Sequence, residues 1–395
     1  MKALLAHPGT QHSLHLAREL DRRNCLDSFY TGLVFRSDGW VCRAAPRRFA
    51  SRTLQPGFSA ELHRRSMIEL LAQWRLRRGV DEQQVMHCRN EDFQRSIPDS
   101  AFQKPDVVIG VDTASWILAE RCREIGRSFV LDQSTGHPDA KQAMHYSVRT
   151  QFPEWSTGFE MRLPMVRQAE IREQHNATLI VCGSSFSKQT LIDHGVSAEK
   201  IRIIPYGVDS ERFKRSAHQP PRPFRFVFVG IVAARKGIPV LIEAWKQLSP
   251  KNAELWFVGA TSSEARRLIP ELARLRLLGP VPQIDVPTFL QQCDVFVFPS
   301  FFEGFGLVIL EAMACGLPVI TTTATAGPDI VTEGHDGFVI EPGDVDALVN
   351  KMEFCLENRD QIAAMGVNAR RTAERFSWDA YGDRWVEILQ AVIAR

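Results

Sequence analysis

Two carboxylates, Glu303 and Glu311, stand eight positions apart in the run PSFFEGFGLVILEAMACGLPVI (299–320), either side of a Gly-Phe-Gly turn that opens an apolar helix. Gly304 and Gly306 carry no Cβ, so the backbone can approach a ligand closely there. A helix starting near Leu307 offers unpaired N–H groups, from Phe305 to Val308, and the positive end of its dipole. Such an end attracts phosphate. Glu311 falls one turn inside the helix, so it points back along the same face and accepts hydrogen bonds from sugar hydroxyls. A phosphate between two hydroxyl-reading carboxylates is a nucleotide sugar. The bland alternative for Glu311, a buried carboxylate satisfied by a helix cap, is disfavoured because carboxylates are seldom buried unpaired.

Upstream, the strand and turn FRFVFVG (224–230) leads to Arg235-Lys236-Gly237 and the helix GIPVLIEAWKQL. Two cations at a helix start sit where the dipole disfavours them, which points to a diphosphate partner. The Asp344-Val345-Asp346 triplet follows Pro342-Gly343 and begins a helix, so it reads as an N-cap rather than a metal site. His7, His12 and His15 have no adjacent carboxylate in the chain and are not read as a metal cluster. No metal and no resident cofactor are expected.

The spacing of Glu303 and Glu311 resembles the E-x7-E signature of the family 4 retaining glycosyltransferases. Other pieces fall in that family's order: Arg235-Lys236-Gly237, IPYGVDSERF (204–213), LLGPVP (277–282) and DVFVFPS (294–300). The match covers most of the C-terminal half and thins in the N-terminal half. The resemblance implies the GT-B fold, two Rossmann-like domains facing a cleft, and a retaining transfer of a sugar from a UDP- or GDP-sugar to a glycan or lipid-linked acceptor. It implies that Glu303 holds donor-sugar hydroxyls, Glu311 the ribose, and Gly230, Gly304, Phe305, Gly306, Leu307 and Val308 the backbone around sugar and phosphate. Pro280 and Val281 would flank the base. Gly9, in the loop HPGTQHS (7–13), would approach the donor phosphate, with Thr10 and Gln11 towards the acceptor.

Two departures from that pattern stand out. Members often carry an arginine directly after the strand-ending glycine, where this chain has Ile231; Arg235 is the substitute guanidinium. Members often have a histidine after the PDVV strand, where this chain has Val111 and Asp112. Asp112 is therefore the candidate polar group beside the transferring carbon, with His137 in LDQSTGHP as a second, acceptor-side candidate. Breaking the bond from C1 to phosphate builds positive charge on the ring and negative charge on the leaving group, so stabilising the leaving group is the main task. Arg235, Lys236 and the helix start beyond Gly306 suit it. A nucleotide-sugar epimerase of the same fold and a non-catalytic nucleotide-binding scaffold are the alternative readings.

These residues need two parallel sheets to position them. Apolar runs ALLAH (3–7), VVIGV (107–111), SFVLD (128–132), TLIVC (178–182) and IRIIP (201–205) alternate with amphipathic segments, as do FRFVFVG, ELWFVGA, RLLGPV, VFVFPS, PVITT and GFVIEP further on. The spacing predicts an N-terminal domain over 1–204, a linker near 205–223, a C-terminal domain to 376, and a last helix over 377–395 packing back on the N-terminal domain. A chain of 395 residues exceeds the ~250–300 at which one core stops growing.

Hydrophobic residues are 44% and charged residues 24%, ordinary for a globular protein, and no apolar run reaches the ~18 residues of a membrane span. A cytoplasmic location is expected. The eight cysteines show no CxxC pair and read as reduced core thiols. A formal net charge of +2 argues against nucleic-acid binding. Ten arginines nevertheless crowd between Arg36 and Arg78, interleaved with Trp40, Phe49, Phe58, Met67 and Trp74. A solvated helical excursion is the plainer reading of that stretch, and a surface for anionic lipid or an acidic acceptor the functional one.

Overall fold

In a computed structural model, which describes residues 1–9, 12–36, 52–54, 56–158, 161–215 and 222–394, the apolar runs become strands of two separate parallel sheets. The first holds β1 (Ala3–His7), β2 (Leu26–Thr31), β3 (Glu61–Arg64), β4 (Val107–Val111), β5 (Ser128–Gln133), β6 (Leu179–Cys182) and β7 (Ile201–Ile203), in the order β3-β2-β1-β4-β5-β6-β7. The second holds β8 (Phe224–Val229), β9 (Ala253–Val258), β10 (Leu275–Gly279), β11 (Val295–Phe298), β12 (Val319–Thr322) and β13 (Gly337–Ile340), in the order β10-β9-β8-β11-β12-β13. Both reverse direction of winding beside their first strand, as in doubly wound dinucleotide-binding sheets. Thr10, Gln11, Cys42, most of the arginine-rich stretch and the centre of the linker lie outside the described residues.

Parallel strands covered on both faces need continuous apolar sequence, and β1, β4 and β9 are buried along their whole length. Strands β2 and β3 escape that rule. LDSFYT carries Asp27, Ser28 and Thr31 among its apolar residues, and ELHR is a polar edge strand paired to β2 alone. Neither has the apolar run that marks the others.

The helices that matter for the site are α1 (Ser13–Arg22), α2 (Ser66–Arg77), α3 (Glu82–Arg95), α4 (Trp116–Glu124), α5 (Pro138–Gln151), α6 (Pro164–Asn176) and α7 (Ser185–Asp193) on the first sheet. On the second are α8 (Ile238–Leu248), α9 (Leu307–Ala314), α10 (Val345–Glu357), α11 (Arg359–Glu374) and the last helix, α12 (Trp378–Ile393). Asp344 caps α10 through the N–H of Ala347, the role its sequence context predicts. Helix α12 crosses back to α1, where the Arg23 guanidinium bonds Asp379 and Asp383 as well as the fully buried Glu19. Among the described residues seven cysteines are unpaired, five of them buried.

Gly237 illustrates how tightly the second sheet is wound at its switch point. It sits at φ +75° directly before α8, and a Cβ there would lie 1.9 Å from the Pro299 carbonyl oxygen. Gly195, closing α7 at φ +89°, has open space around it. Both alanine variants incur the left-handed backbone penalty of ~1–2 kcal/mol, but only Gly237→Ala adds an overpacking cost of ~1–3 kcal/mol. Thermal unfolding should therefore show a fall in Tm for Gly237→Ala roughly two- to threefold that for Gly195→Ala.

Candidate active site

Ligands of doubly wound sheets lie beyond the carboxyl ends of the strands at the winding switch. In the first sheet that place is flanked by the loops after β1 and β4, carrying Gly9, His12 and Asp112; in the second, by the loops after β8 and β11, carrying Gly230 to Gly237 and Ser300 to Gly306. The two switch points face each other. Gly304 lies against the first domain so closely that a Cβ would meet the Ser134 carbonyl oxygen at 1.8 Å. Its own carbonyl accepts from Ser184 Oγ at 2.6 Å and Ser187 Oγ at 3.0 Å. Phe305 packs on Gly183 and on the Tyr206 ring, with centroids 5.0 Å apart, and Phe302 meets Phe186 edge-on.

Glu303 is held between two cations. Its Oε1 accepts from Arg235 Nη1 at 2.5 Å, from Lys236 Nζ, and from Ser300 Oγ at 3.2 Å. Burial raises the cost of its charge, but Lys236 and Arg235 outweigh that and pull its pKa below the usual carboxylate value. Burial lowers the pKa of Lys236, partly offset by Glu303. Arg235 also bonds the Phe302 carbonyl at 2.7 Å, so the 3-10 turn Ala234–Lys236 and the loop after β11 form one unit. Beyond it, Gly306 adopts φ +86°, a left-handed N-cap for α9 that aims the first N–H groups of Leu307 and Val308 out of the helix.

Glu311 is the counterpoint. It is half-buried and, among the described residues, its carboxylate has no hydrogen-bond partner. Burial pushes its pKa up to about 7, with Arg212 pulling the other way. Arg212 bonds the Gln283 carbonyl and leaves its buried Nε unpaired. Pro280, exposed, and Val281, half-buried, follow β10. Gly230, at φ +148°, ends β8 with its N–H on the Val258 carbonyl, and Ile231 beside it is 62% exposed.

On the opposite wall Asp112 is buried beneath the surface, accepting from Ser134 Oγ at 2.7 Å, Gln133 Nε2 at 3.1 Å and the Thr135 N–H at 3.3 Å. Burial raises its pKa. His137 is also buried: its Nδ1 caps α5 by accepting from the Asp139 N–H, and its ring stacks on His194 with centroids 4.4 Å apart. Burial lowers its pKa to about 4, which leaves the ring neutral and able to accept. Gly9 is half-buried beside the His7 ring.

Sequence spacing missed two groupings. His12, for which the chain offers no adjacent carboxylate, meets Asp132 from the end of β5: Nε2 and Oδ2 are 2.7 Å apart, 120 positions distant in the chain. Tyr206 Oη approaches the same ring at 3.4 Å. The other grouping is Lys141 and His145, one turn apart on α5, which feel Arg162 and, across the cleft, Arg235. A Lys-x3-His pair on a helix is too common to be singled out by spacing. Among the described residues no three His, Cys, Asp or Glu side chains converge as a metal site would require.

Whole-chain similarity to solved structures decides the architecture. Sucrose-phosphate synthase from Thermosynechococcus elongatus matches with a TM-score of 0.67 over 100% of this chain and 99% of that one, at 18% identity. Anabaena HepE, in complex with UDP and glucose, matches with a TM-score of 0.65 over 99% of this chain and 100% of that one, at 20% identity. The chain has the GT-B fold. Within it, residues 223–358 match the family described as glycosyl transferases group 1, a segment that carries Arg235, Lys236, Glu303 and Glu311. The O-antigen chain mannosyltransferase B of Escherichia coli is 33% identical over 163 residues, 39% of this chain and 42% of that protein. The GT-B chain thus spans less than half the length of this curated relative.

The His12–Asp132 contact sets a pH dependence for the first domain. Burial alone would lower the His12 pKa, but Asp132 and Asp112 together leave it raised above 6.5. A raised histidine contributes stability that is whole below the unfolded value and lost as pH climbs through the folded one. The gap in Tm between the wild type and His12→Gln should therefore be widest near pH 6 and narrow steadily on going to alkaline pH. A gap that stayed constant would mean the imidazole is neutral throughout.

Proposed function

We propose that the GT-B chain is a retaining glycosyltransferase that moves a sugar from a UDP- or GDP-sugar to a glycan or lipid-linked acceptor, without a metal, in assembling a polysaccharide or glycolipid. The observation that carries this is the arrangement around the Gly-Phe-Gly turn. On one side lie two cations and a helix start able to meet a diphosphate; on the other, Glu311, a half-buried carboxylate with no partner among the described residues. The family match over 223–358 and the polysaccharide transferase among the relatives support the same reading.

In this mechanism the bond from C1 to the diphosphate oxygen breaks while the acceptor oxygen bonds C1 from the same face. The acceptor proton passes to the departing phosphate oxygen. Arg235, Lys236 and the N–H groups at the start of α9 carry the charge that develops on the leaving group. Glu303 loses cation contact to the phosphate as the donor enters and turns its oxygens to sugar hydroxyls. Asp112, buried in the wall of the first domain, is the candidate polar group beside the reacting carbon.

The two glutamates separate in kinetics. Glu303→Gln should mainly lower kcat, because its hydrogen bonds strengthen as the ring gains charge; Glu311→Gln should mainly raise the donor KM, because ribose is unchanged in the transition state. Each effect should be about ten- to a hundredfold, the worth of a hydrogen bond to a charged group. Ribose hydroxyls favour the charged carboxylate, so nucleotide binding below pH about 7 should also take up Glu311 in its ionised form and release a proton, a release absent in Glu311→Gln. Steady-state kinetics with the donor varied, run with and without EDTA on variants shown to be folded by circular dichroism, check these points. Near-normal kinetics in both variants, or loss of activity in EDTA restored by Mg or Mn, would refute the assignment.

A peripheral contact with anionic membrane is part of the same proposal, and α2 supports it. The helix is inverted: Glu69 faces inward to Arg89 and Arg52, while Met67, Leu70, Leu71 and Trp74 lie exposed at i, i+3, i+4 and i+7. Arg75, Arg77 and Arg78 follow, Arg78 stacking on Trp74 at 3.8 Å. An apolar stripe rimmed by arginines suits an anionic bilayer surface. Vesicle co-sedimentation should need anionic lipid, weaken with salt because charges are screened within ~10 Å at 0.1 M, and fall in a Leu70→Glu, Trp74→Glu double variant. Equal binding to neutral vesicles would favour a solvated face.

A further inference from the structure

The His12–Asp132 pair has one nitrogen to spare. Nε2 is the atom that meets Asp132 Oδ2 at 2.7 Å and Tyr206 Oη at 3.4 Å, so Nδ1 is the free edge of the ring. Among the described residues Nδ1 has no hydrogen-bond partner, and it is not shut away from solvent as both nitrogens of His7 are. The side chain is otherwise enclosed, with only 5% of the residue exposed. His12 is also the residue on which α1 begins, and its side chain makes no cap bond. The unpaired N–H groups of a 10-residue helix therefore lie beside that ring.

The ring stands at the line between the domains. Its centroid is 4.5 Å from that of Tyr206, which packs 5.0 Å from Phe305 in the Gly-Phe-Gly turn at the start of α9. Two helix starts, α1 from the first domain and α9 from the second, thus bracket one stretch of cleft. Both attract an anion. Burial works against a charge on His12, but Asp132 from β5 and Asp112 from the loop after β4 outweigh it. The other titratable groups around the ring carry no charge at neutral pH: burial keeps Tyr206 protonated, holds His7 of β1 well below 6.5 and lowers His15 of α1 to about 4. A charged ring with Nε2–H on Asp132 has only a donor, Nδ1–H, to offer a ligand.

We propose that His12 is a further catalytic residue of the transfer, its Nδ1–H and the first N–H groups of α1 bonding the departing diphosphate from the first domain's side. This rests on the transferase reading above. It supplies the cation that Ile231 does not, and from the wall opposite Arg235 and Lys236, whose charge is shared with Glu303. When the bond from C1 to the phosphate oxygen breaks, both electrons stay on that oxygen. The ring meets the charge through a hydrogen bond and keeps its own proton, so the oxygen is still free to take the proton of the acceptor hydroxyl. A neutral ring bonded to Asp132 would turn a lone pair to the phosphate instead. Asp132 is then a positioning residue, fixing the ring's orientation and its charge.

The test is calorimetric titration of the 395-residue chain, as wild type, His12→Gln and Asp132→Asn, with UDP and with GDP between pH 6 and pH 9. Circular dichroism first shows that each form is folded. The ratio of wild-type to His12→Gln affinity cancels the titration of the nucleotide's own phosphate and of Glu311, which both proteins share. For the nucleotide that binds more tightly, that ratio should be about tenfold or more at pH 6 and shrink as the pH is raised and the ring loses its proton. Asp132→Asn keeps the ring but removes the carboxylate that holds it charged, so its affinity should fall away at lower pH than that of wild type. Should His12→Gln not fold, this shift decides alone. A ratio near one, or one that does not change with pH, overturns the proposal while leaving the donor reading standing. If wild type binds neither nucleotide, the transferase reading fails and takes this one with it.

Discussion

The constraint on which the rest of the site depends is the seating of Gly304 on the first domain. No side chain fits between its Cα and the Ser134 carbonyl, and two serines of the α7 start hold its own carbonyl. Because Gly304 is the neighbour of Glu303, the carboxylate that Arg235 and Lys236 hold is positioned by the domain it does not belong to. Interdomain hydrogen bonds of this kind are each worth only ~0.5–1.5 kcal/mol, so it is the absence of a side chain on Gly304, more than those bonds, that sets the fit. The aromatic contacts of Phe302 and Phe305 across the same line add apolar burial without adding specificity of direction.

Charge is arranged around that line by pairing rather than by excess. Glu303 neutralises one of two cations that would otherwise repel each other, and the three groups share a partly buried space. Any anion entering there would compete with Glu303 for Arg235 and Lys236. Occupancy of the two cations and release of the Glu303 carboxylate are therefore linked. Ile231, 62% exposed in the loop after β8, contributes no charge here, so the positive charge of this wall is that of the 3-10 turn.

Most of the fold was legible because parallel strands buried on both faces need uninterrupted apolar sequence, and the runs at 107–111, 128–132, 224–230 and 295–298 have it. Strands β2 and β3 were not legible: Ser28 and Thr31 are buried polar residues whose burial is decided by the sheet, and ELHR is an edge. The E-x7-E segment, the KG turn and the Asp344 cap are local patterns, read within a few residues of each other. The His12–Asp132 pair and the Lys141 environment are not local. They depend on which strand ends the topology brings together, 120 positions apart in the first case, and no spacing rule reaches that far.

That difference bears on what each half of the molecule can vary. The segment that matches a family, 223–358, holds Arg235, Lys236, Glu303 and Glu311 on turns and a helix start whose backbone has little room to spare. The groups outside it, Asp112, His12 and the exposed stripe of α2, belong to the first domain, the first two buried and engaged and the stripe open to solvent. The exposed side chains of α2 and of the loops of the first sheet can change without disturbing its strands, which stay buried whatever those side chains are. A change around Arg235 and Lys236 would have to respect a turn in which Gly237 has a carbonyl 1.9 Å from where its Cβ would stand. The close packing that fixes the Arg235, Lys236 and Glu303 cluster therefore also limits how its surroundings can change, and leaves the exposed faces of the first domain as the place where the chain can vary.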